Sequence, residues 1–350
     1  MSGLYIHIPF CEHKCIYCDF YSLAPAVTSE PDQSQDTLID RFLASLGREI
    51  DLQGKKFRSA ETYQTVFFGG GTPSLLTPAA IGKILQKLSA KFSIQPNAEI
   101  TLETNPGTVN VQKLKNFRNT GINRLSVGVQ SFLNDDLRFL TRIHSSETAR
   151  SCIRDAFEAG FEDVSIDLIF SLPRQTIERW QYNLEQAVAL HPTHLSCYSL
   201  IVEPNTPLFS MVQNKQLIPL DPETDAGLYQ TTIEFLSAHG YRQYEVSNFA
   251  KPGFESRHNM NYWNHTPYLG FGPSAHSYGD QKRWWNISNL GSYNELLEHG
   301  QLPLAGSEEL TQRQLHEETI FLGLRSGGID LGKYRKQFGH DLLETYKDLT

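Results

Sequence analysis

The sequence predicts an α/β protein: a barrel, or an open partial barrel, of six strand–helix repeats followed by a smaller α-rich extension. Three observations predict it. Short apolar runs alternate with longer stretches whose apolar residues recur every three or four positions, the pattern of βαβ units on a parallel sheet. Within the strand runs, apolar and polar residues alternate, so one face packs on helices and the other is polar. After residue 246 the rhythm breaks into a stretch rich in Asn, Gly, His and aromatics. On this reading residues 1–246 form the barrel and 247–305 an extension beside the substrate. Residues 306–350 open a small helical domain that stops mid-pattern, as a truncated chain would.

Strands are expected at 4–9, 64–69, 98–103, 123–129, 162–168, 193–199 and 241–246. Helices are expected at about 36–53, 78–91, 110–120, 146–159, 176–190 and 222–239, and beyond the barrel at about 291–299 and 311–325. The first helix shows Leu38, Phe42, Leu46 and Ile50 at helical spacing. Thr77-Pro78 and Asp221-Pro222 read as N-caps followed by proline in the first turn. Gly121, Gly160 and Gly240 fall where helices should end. The Ser/Pro/Asp-rich stretch 24–37 reads as a loop.

Strand parity points to a cavity. Leu4, Ile6 and Ile8 alternate with Tyr5 and His7, and Leu125, Val127 and Val129 with Ser126, Gly128 and Gln130. A closed barrel fills its interior with branched apolar side chains, so a polar interior implies a ligand. Glu103, Gln130 and Asp167 stand at the carboxyl ends of their strands, where barrel enzymes place their chemistry.

Composition excludes several classes. Lys+Arg 31 against Asp+Glu 39 gives a net charge of -8, which disfavours nucleic acid as a partner. No apolar run reaches the ~18 residues of a membrane span, and the N-terminus has no signal pattern. Five cysteines, an odd number, fit a reducing cytoplasm rather than a disulfide scaffold. Cys152, in a helical pattern, and Cys197, in a strand, read as buried structural thiols.

The other three, Cys11, Cys15 and Cys18, sit at C-x3-C-x2-C spacing directly after the first strand. Three thiolates in a tight loop can face one iron–sulfur cluster and leave one iron open to a non-protein ligand. A zinc knuckle is the alternative, but it wants a fourth ligand, and His7 and His13 make no familiar pattern. Gly69-Gly70-Gly71-Thr72-Pro73 follows the second strand, either as a tight turn or as a backbone that approaches a ligand closely. Arg142 lies twelve residues past Gln130. Glu103, Gln130, Arg142 and Asp167 each have a plain alternative as a barrel hydrogen-bond partner or ion pair.

The cysteine spacing ending in Tyr17-Cys18, with the glycine turn behind it, resembles the radical S-adenosylmethionine (SAM) superfamily. Across nearly the whole chain the motifs resemble the oxygen-independent coproporphyrinogen III oxidase family, and within it the heme chaperone branch. The resemblance implies a radical SAM partial (β/α)6 barrel, with Cys11, Cys15 and Cys18 holding a [4Fe–4S] cluster. It implies that Tyr5, Tyr17, Gly70, Gly71, Thr72, Glu103, Gln130, Arg142 and Asp167 line one or two SAM sites; no residue is assigned a catalytic role.

Two features separate the branches. The oxidase extends its cysteine loop to C-x3-C-x2-C-x-C, where this chain has Phe20, and carries a long segment ahead of the cysteines, where this chain has ten residues. The run His258-Asn259-Met260-Asn261-Tyr262-Trp263 also resembles a chaperone segment, which makes His258 the expected heme ligand; a loop histidine in a hydrogen-bond network is the alternative. The implied function is heme transfer to an acceptor hemoprotein. A flavodoxin-like, ferredoxin-like or NADH-linked reductant would serve the cluster, and any membrane contact would be peripheral, through a partner. The rival is oxidative decarboxylation of coproporphyrinogen III.

Overall fold

The computed structural model describes residues 2–24, 35–57 and 62–347. Six parallel strands carry the fold: β1 (Ser2–Ile8), β2 (Thr62–Gly70), β3 (Ser93–Thr104), β4 (Arg124–Gln130), β5 (Asp163–Phe170) and β6 (His194–Ser199). Each is hydrogen-bonded to the next in chain order. Between them run α1 (Gln35–Lys56), α2 (Pro78–Lys91), α3 (Val111–Asn119), α4 (Asn134–Phe139), α5 (Ser146–Glu158) and α6 (Ile177–Val188). The short α7 (Pro207–Gln213) and the longer α8 (Pro222–Ala238) close the last repeat.

Then follow β7 (Arg242–Gln243), β8 (Asn248–Ala250), α9 (Arg257–Trp263), β9 (Tyr268–Phe271), β10 (His276–Gly279) and β11 (Lys282–Asn286). The chain ends with α10 (Leu290–Glu298), β12 (Leu304–Glu309), α11 (Gln312–Leu324), α12 (Leu331–Phe338) and α13 (Leu342–Thr345). All twelve strands form one open sheet in the order β12-β11-β10-β9-β1-β2-β3-β4-β5-β6-β8-β7. The partial barrel is therefore bounded by antiparallel strands on both sides, and β9 joins it as a parallel neighbour of β1.

The expected parity holds. Leu4, Ile6, Ile8, Leu125, Val127, Val164 and Ile166 are buried in one continuous core with Phe42, Leu46 and Ile50 of α1. Burying that face under helices is the main favourable contribution to folding. Thr77 and Asp221 accept from the backbone N–H groups of Ala80 and Thr224, as their N-cap positions require. Gly121, Gly160 and Gly240 take positive φ values of 107°, 91° and 84° at the helix ends. Cys152 and Cys197 are buried, on α5 and β6. Most of the 24–37 loop lies outside the described residues.

One expected strand is corrected. Residues 241–246 do not continue the parallel sheet: Arg242–Gln243 pairs antiparallel with β8, which runs antiparallel to β6. The chain reverses between them because the Glu245 carboxylate accepts from Ser247 N (3.2 Å) and the Glu245 carbonyl from Asn248 N (3.3 Å). An acidic residue holding its own turn outweighs the local strand propensity.

The extension is locked to the barrel by a carboxylate the sequence reading passed over. Glu49 of α1 is fully buried. It accepts from Gly272 N (2.8 Å), Tyr293 Oη (2.7 Å), Asn286 Nδ2 (2.6 Å) and Gln53 Nε2 (3.1 Å). Burial pushes its carboxyl up, and the four donors oppose that shift. Glu49→Ala leaves three donors from the extension unmet in the core and should lower the unfolding free energy by roughly 3 kcal/mol. Glu49→Gln keeps acceptor capacity and should cost less. Urea denaturation of both variants checks this; equal losses would overturn the clamp.

Candidate functional site

The cysteine loop is built by main chain. β1 ends at Ile8, and the β1–β2 pairing runs on past it: Gly71 N donates to Ile8 O (2.8 Å) and Thr72 N to Phe10 O (2.7 Å). Cys11 N donates to Leu23 O (3.0 Å) and Leu23 N to Pro9 O (2.6 Å), which ties the far end of the loop back to its start. This approach is what requires the glycines. A Cβ on Gly71 would lie 2.6 Å from Phe10 O, and one on Gly70, at φ +110°, 2.6 Å from the His7 ring. The other side of the loop is held by Ile16 N donating to Thr141 Oγ1 (3.1 Å).

Above the carboxyl ends of β2–β6 lies a cavity of about 510 Å³, a size suited to a small organic cofactor. Cys11, Cys15 and Cys18 all line it. Tyr17 and the turn residues Gly70, Gly71 and Thr72 form the near wall; Glu103, Gln130, Arg142 and Asp167 form the rest of the expected set. Gln130 sits at φ 68° beside a register shift in the β4–β5 pairing. Left-handed backbone at a non-glycine residue is costly and is found at functional sites.

Asn105, to which the sequence reading gave no role, joins two sides of the site. Its Nδ2 donates to Thr72 Oγ1 (2.8 Å), which donates to Cys11 Sγ (3.5 Å). Its Oδ1 accepts from Arg142 NH2 (2.6 Å), and Arg142 NH1 donates to Cys15 Sγ (3.7 Å). One amide thus orients the groups that touch two of the three thiols. The sequence signal was its place after the strand end in Asn105-Pro106-Gly107. Ser126 and Ser165 were also passed over; both donate to Asp167, at 3.0 and 3.3 Å.

The cavity's charge is unbalanced. Burial and the charge of Asp167 push the Glu103 carboxyl up to about 8. Burial also raises Asp167, against the hydrogen bonds from the serines. Glu103 accepts from Gly70 N (3.1 Å) and has no cationic partner among the described residues. Arg124 is no such partner, because it pairs with Asp163. Such a pair of carboxylates attracts a cationic ligand. Across the cavity, Arg142 Nε is buried without a hydrogen bond, a spare donor suited to a carboxylate.

Two expected site residues lie elsewhere. Tyr5 faces an adjoining cleft, not the cavity, with its hydroxyl 3.1 Å from His7 Nδ1. His258 is buried on α9: its Nδ1 meets Thr65 Oγ1 (2.7 Å), its Nε2 meets Tyr262 Oη (2.9 Å), and its ring stacks on Phe67. An iron ligand must present a nitrogen lone pair to an opening, and both nitrogens here are occupied. The expectation of a heme-facing His258 is corrected to the alternative, a histidine inside a hydrogen-bond network. Its neighbour Asn259 lines the cavity, and Tyr262 the cleft.

A family model described as the radical SAM superfamily matches residues 5–187. The heme chaperone HemW of Bacillus subtilis (strain 168) is 36% identical over 98% of this chain and 88% of its own. That of Synechocystis is 38% identical over 93% and 78%. The chain belongs to the radical SAM superfamily, in the HemW family. In fold, this HemW-family chain resembles the coproporphyrinogen III oxidase HemN of Escherichia coli, described as a radical SAM enzyme. The TM-score is 0.82 at 26% identity, over 99% of this chain and 80% of that one.

The donor set fits the groups the superfamily implies. Three thiols edge the cavity, with a guanidinium donor on one side and two carboxylates on the other. Burial pushes the Cys18 thiol up to about 11 and raises Cys11 as well; coordination to iron is what would deprotonate them.

Glu103 yields a test that needs no ligand. Its folded-state value of about 8 stands above the ordinary 4.5, so its ionisation opposes folding. That destabilisation is absent below about pH 4.5 and grows as pH rises to 8. Glu103→Gln should therefore melt at a higher temperature than the SAM-free wild type at pH 8, with the gap narrowing toward pH 5. A gap that does not change with pH would refute the buried carboxyl.

Proposed function

We propose that the protein is a cytoplasmic heme chaperone of the radical SAM fold: it carries a [4Fe–4S] cluster and SAM in the cavity, binds heme and passes it to an acceptor hemoprotein. The observation that carries this reading is the cavity, where three thiols share the lining with Asp167 and with Glu103, which lacks a cationic partner among the described residues, in a chain that matches heme chaperones almost end to end. In this proposal Cys11, Cys15 and Cys18 hold the cluster and leave one iron open. Arg142 offers its spare donor to the SAM carboxylate, and Glu103 accepts from the ammonium. Glu103 and Asp167 would set a negative field for the SAM sulfonium. Gln130 and Asp167 suit the ribose hydroxyls. Held by these three thiolates, a cluster would supply the electron that SAM cleavage needs. A small redox protein or an NADH-linked enzyme would deliver that electron. No helix among the described residues is long and apolar enough to cross a membrane, so any membrane contact in this proposal comes through the acceptor.

The likeness to HemN favours a second reading, oxidative decarboxylation of coproporphyrinogen III. Position 20 weighs against it, since Phe20 stands where the oxidase pattern has its fourth cysteine.

Cys15→Ser should lose the brown chromophore of protein reconstituted without oxygen, while Cys152→Ser keeps it; full iron in the Cys15 variant would refute the cluster. In an anaerobic assay with reductant and SAM, the wild type should move hemin to an apo-hemoprotein and leave coproporphyrinogen III intact. Turnover of the porphyrinogen would establish the oxidase instead.

A further inference from the structure

With His258 closed off, the heme needs another ligand. We infer that heme binds in the cleft beside the cysteine loop, with the His276 imidazole on the iron and Phe20 as its aromatic wall. This rests on the heme-chaperone reading and adds the site.

The cleft is open, about 330 Å³, and lies against the outer side of the cysteine loop. Tyr5 and His7 of β1, Tyr21, Tyr262, Tyr268 and His276 line it, with Phe20 and Asp19 at the rim. A wall of tyrosines suits a flat macrocycle, since each presents an apolar face at low entropic cost. At that volume the cleft takes one part of an iron porphyrin and leaves the rest at the surface, where an acceptor can reach it.

Two histidines line this cleft and they differ in one respect. His7 is buried, with Nδ1 at the Tyr5 hydroxyl and Nε2 on Tyr21 O (2.8 Å). His276 is exposed and its ring makes no hydrogen bond among the described residues, so its lone pair is available. Burial and the nearby Arg283 charge favour its neutral form, against Glu308. Neutral imidazole is the form that ligates iron. The ring is also held in place. His276 pairs across the β10–β11 ladder with Trp285, whose ring stacks on it at 5.8 Å and 23°. A ligand fixed by strand and stacking, with one axial bond to break, can both capture heme and release it.

Phe20 explains the wall. It is 63% exposed, an unusual position for a large apolar ring, and Lys14 Nζ holds its carbonyl at 3.3 Å. It lines both the cleft and the cluster cavity. In this chain the residue that departs from the oxidase's fourth cysteine thus becomes contact surface for the porphyrin.

The test titrates cluster-reconstituted full-length protein with hemin and, separately, with metal-free protoporphyrin IX. His276→Ala should weaken hemin binding at least tenfold and shift the Soret band, free imidazole should restore the band, and protoporphyrin IX should bind as to wild type. Phe20→Ala should weaken both ligands. Cluster iron should not change in either variant. A wild-type hemin spectrum and affinity in His276→Ala, with the wild type binding one hemin, would overturn this site and leave the chaperone reading standing. The site is equally overturned if His258→Ala, folded by its melting curve, removes the histidine signature in its place. A wild type that binds no hemin at one equivalent would overturn the chaperone reading and the site together.

Discussion

Everything in the site depends on the way β1 and β2 stay paired after both have ceased to be strands. Two backbone hydrogen bonds, from Gly71 and Thr72 to Ile8 and Phe10, set the start of the cysteine loop on the glycine turn. They leave no room for a Cβ on Gly71 and bring the His7 ring against Gly70. The positions of the thiols are thus inherited from the sheet. Side chains tune them afterwards: Thr72 and Arg142 each reach one sulfur, and Asn105 orients both. A loop of this length could not hold three thiols on one face by its own propensities.

The cavity keeps the Glu103 carboxyl uncompensated, at a cost to stability that a cation binding there would relieve. Asp167 has three serines, Ser196, Ser126 and Ser165, and the charge of Arg124 near it. Glu103 has a single backbone N–H. Arg124 also lines the cavity, but it is held by Asp163. The same alternation that buries Val164 and Ile166 points Asp167 into the opening.

Much of this was legible from residue order. Strand parity placed Glu103, Gln130 and Asp167 in a polar interior, and all three line the cavity. The capped helix starts and the glycines at helix ends also stand as read. What escaped was set by contacts far apart in sequence. By its resemblance the His258 run reads as carrying a heme ligand; Glu99 ties its start into the fold by accepting from Arg257 N and His258 N at the start of α9. Tyr5 shares the polar parity of its strand but falls beside the cavity, because β9 pairs with β1 and opens a second recess there. Parity gives the face of a sheet; it does not say which opening on that face a side chain meets.

The Glu49 clamp has a temporal side. Its donors Gly272 and Tyr293 follow it by 223 and 244 positions. At translation rates of about 5–20 residues per second, on the order of tens of seconds pass between making the acid and making its partners. Through that interval the first helix carries a carboxylate it cannot bury, and β1 has an unpaired edge. Limited proteolysis of ribosome-stalled chains, halted before and after residue 293, reads this order directly: resistance of the first helix that arises before the extension emerges would contradict it.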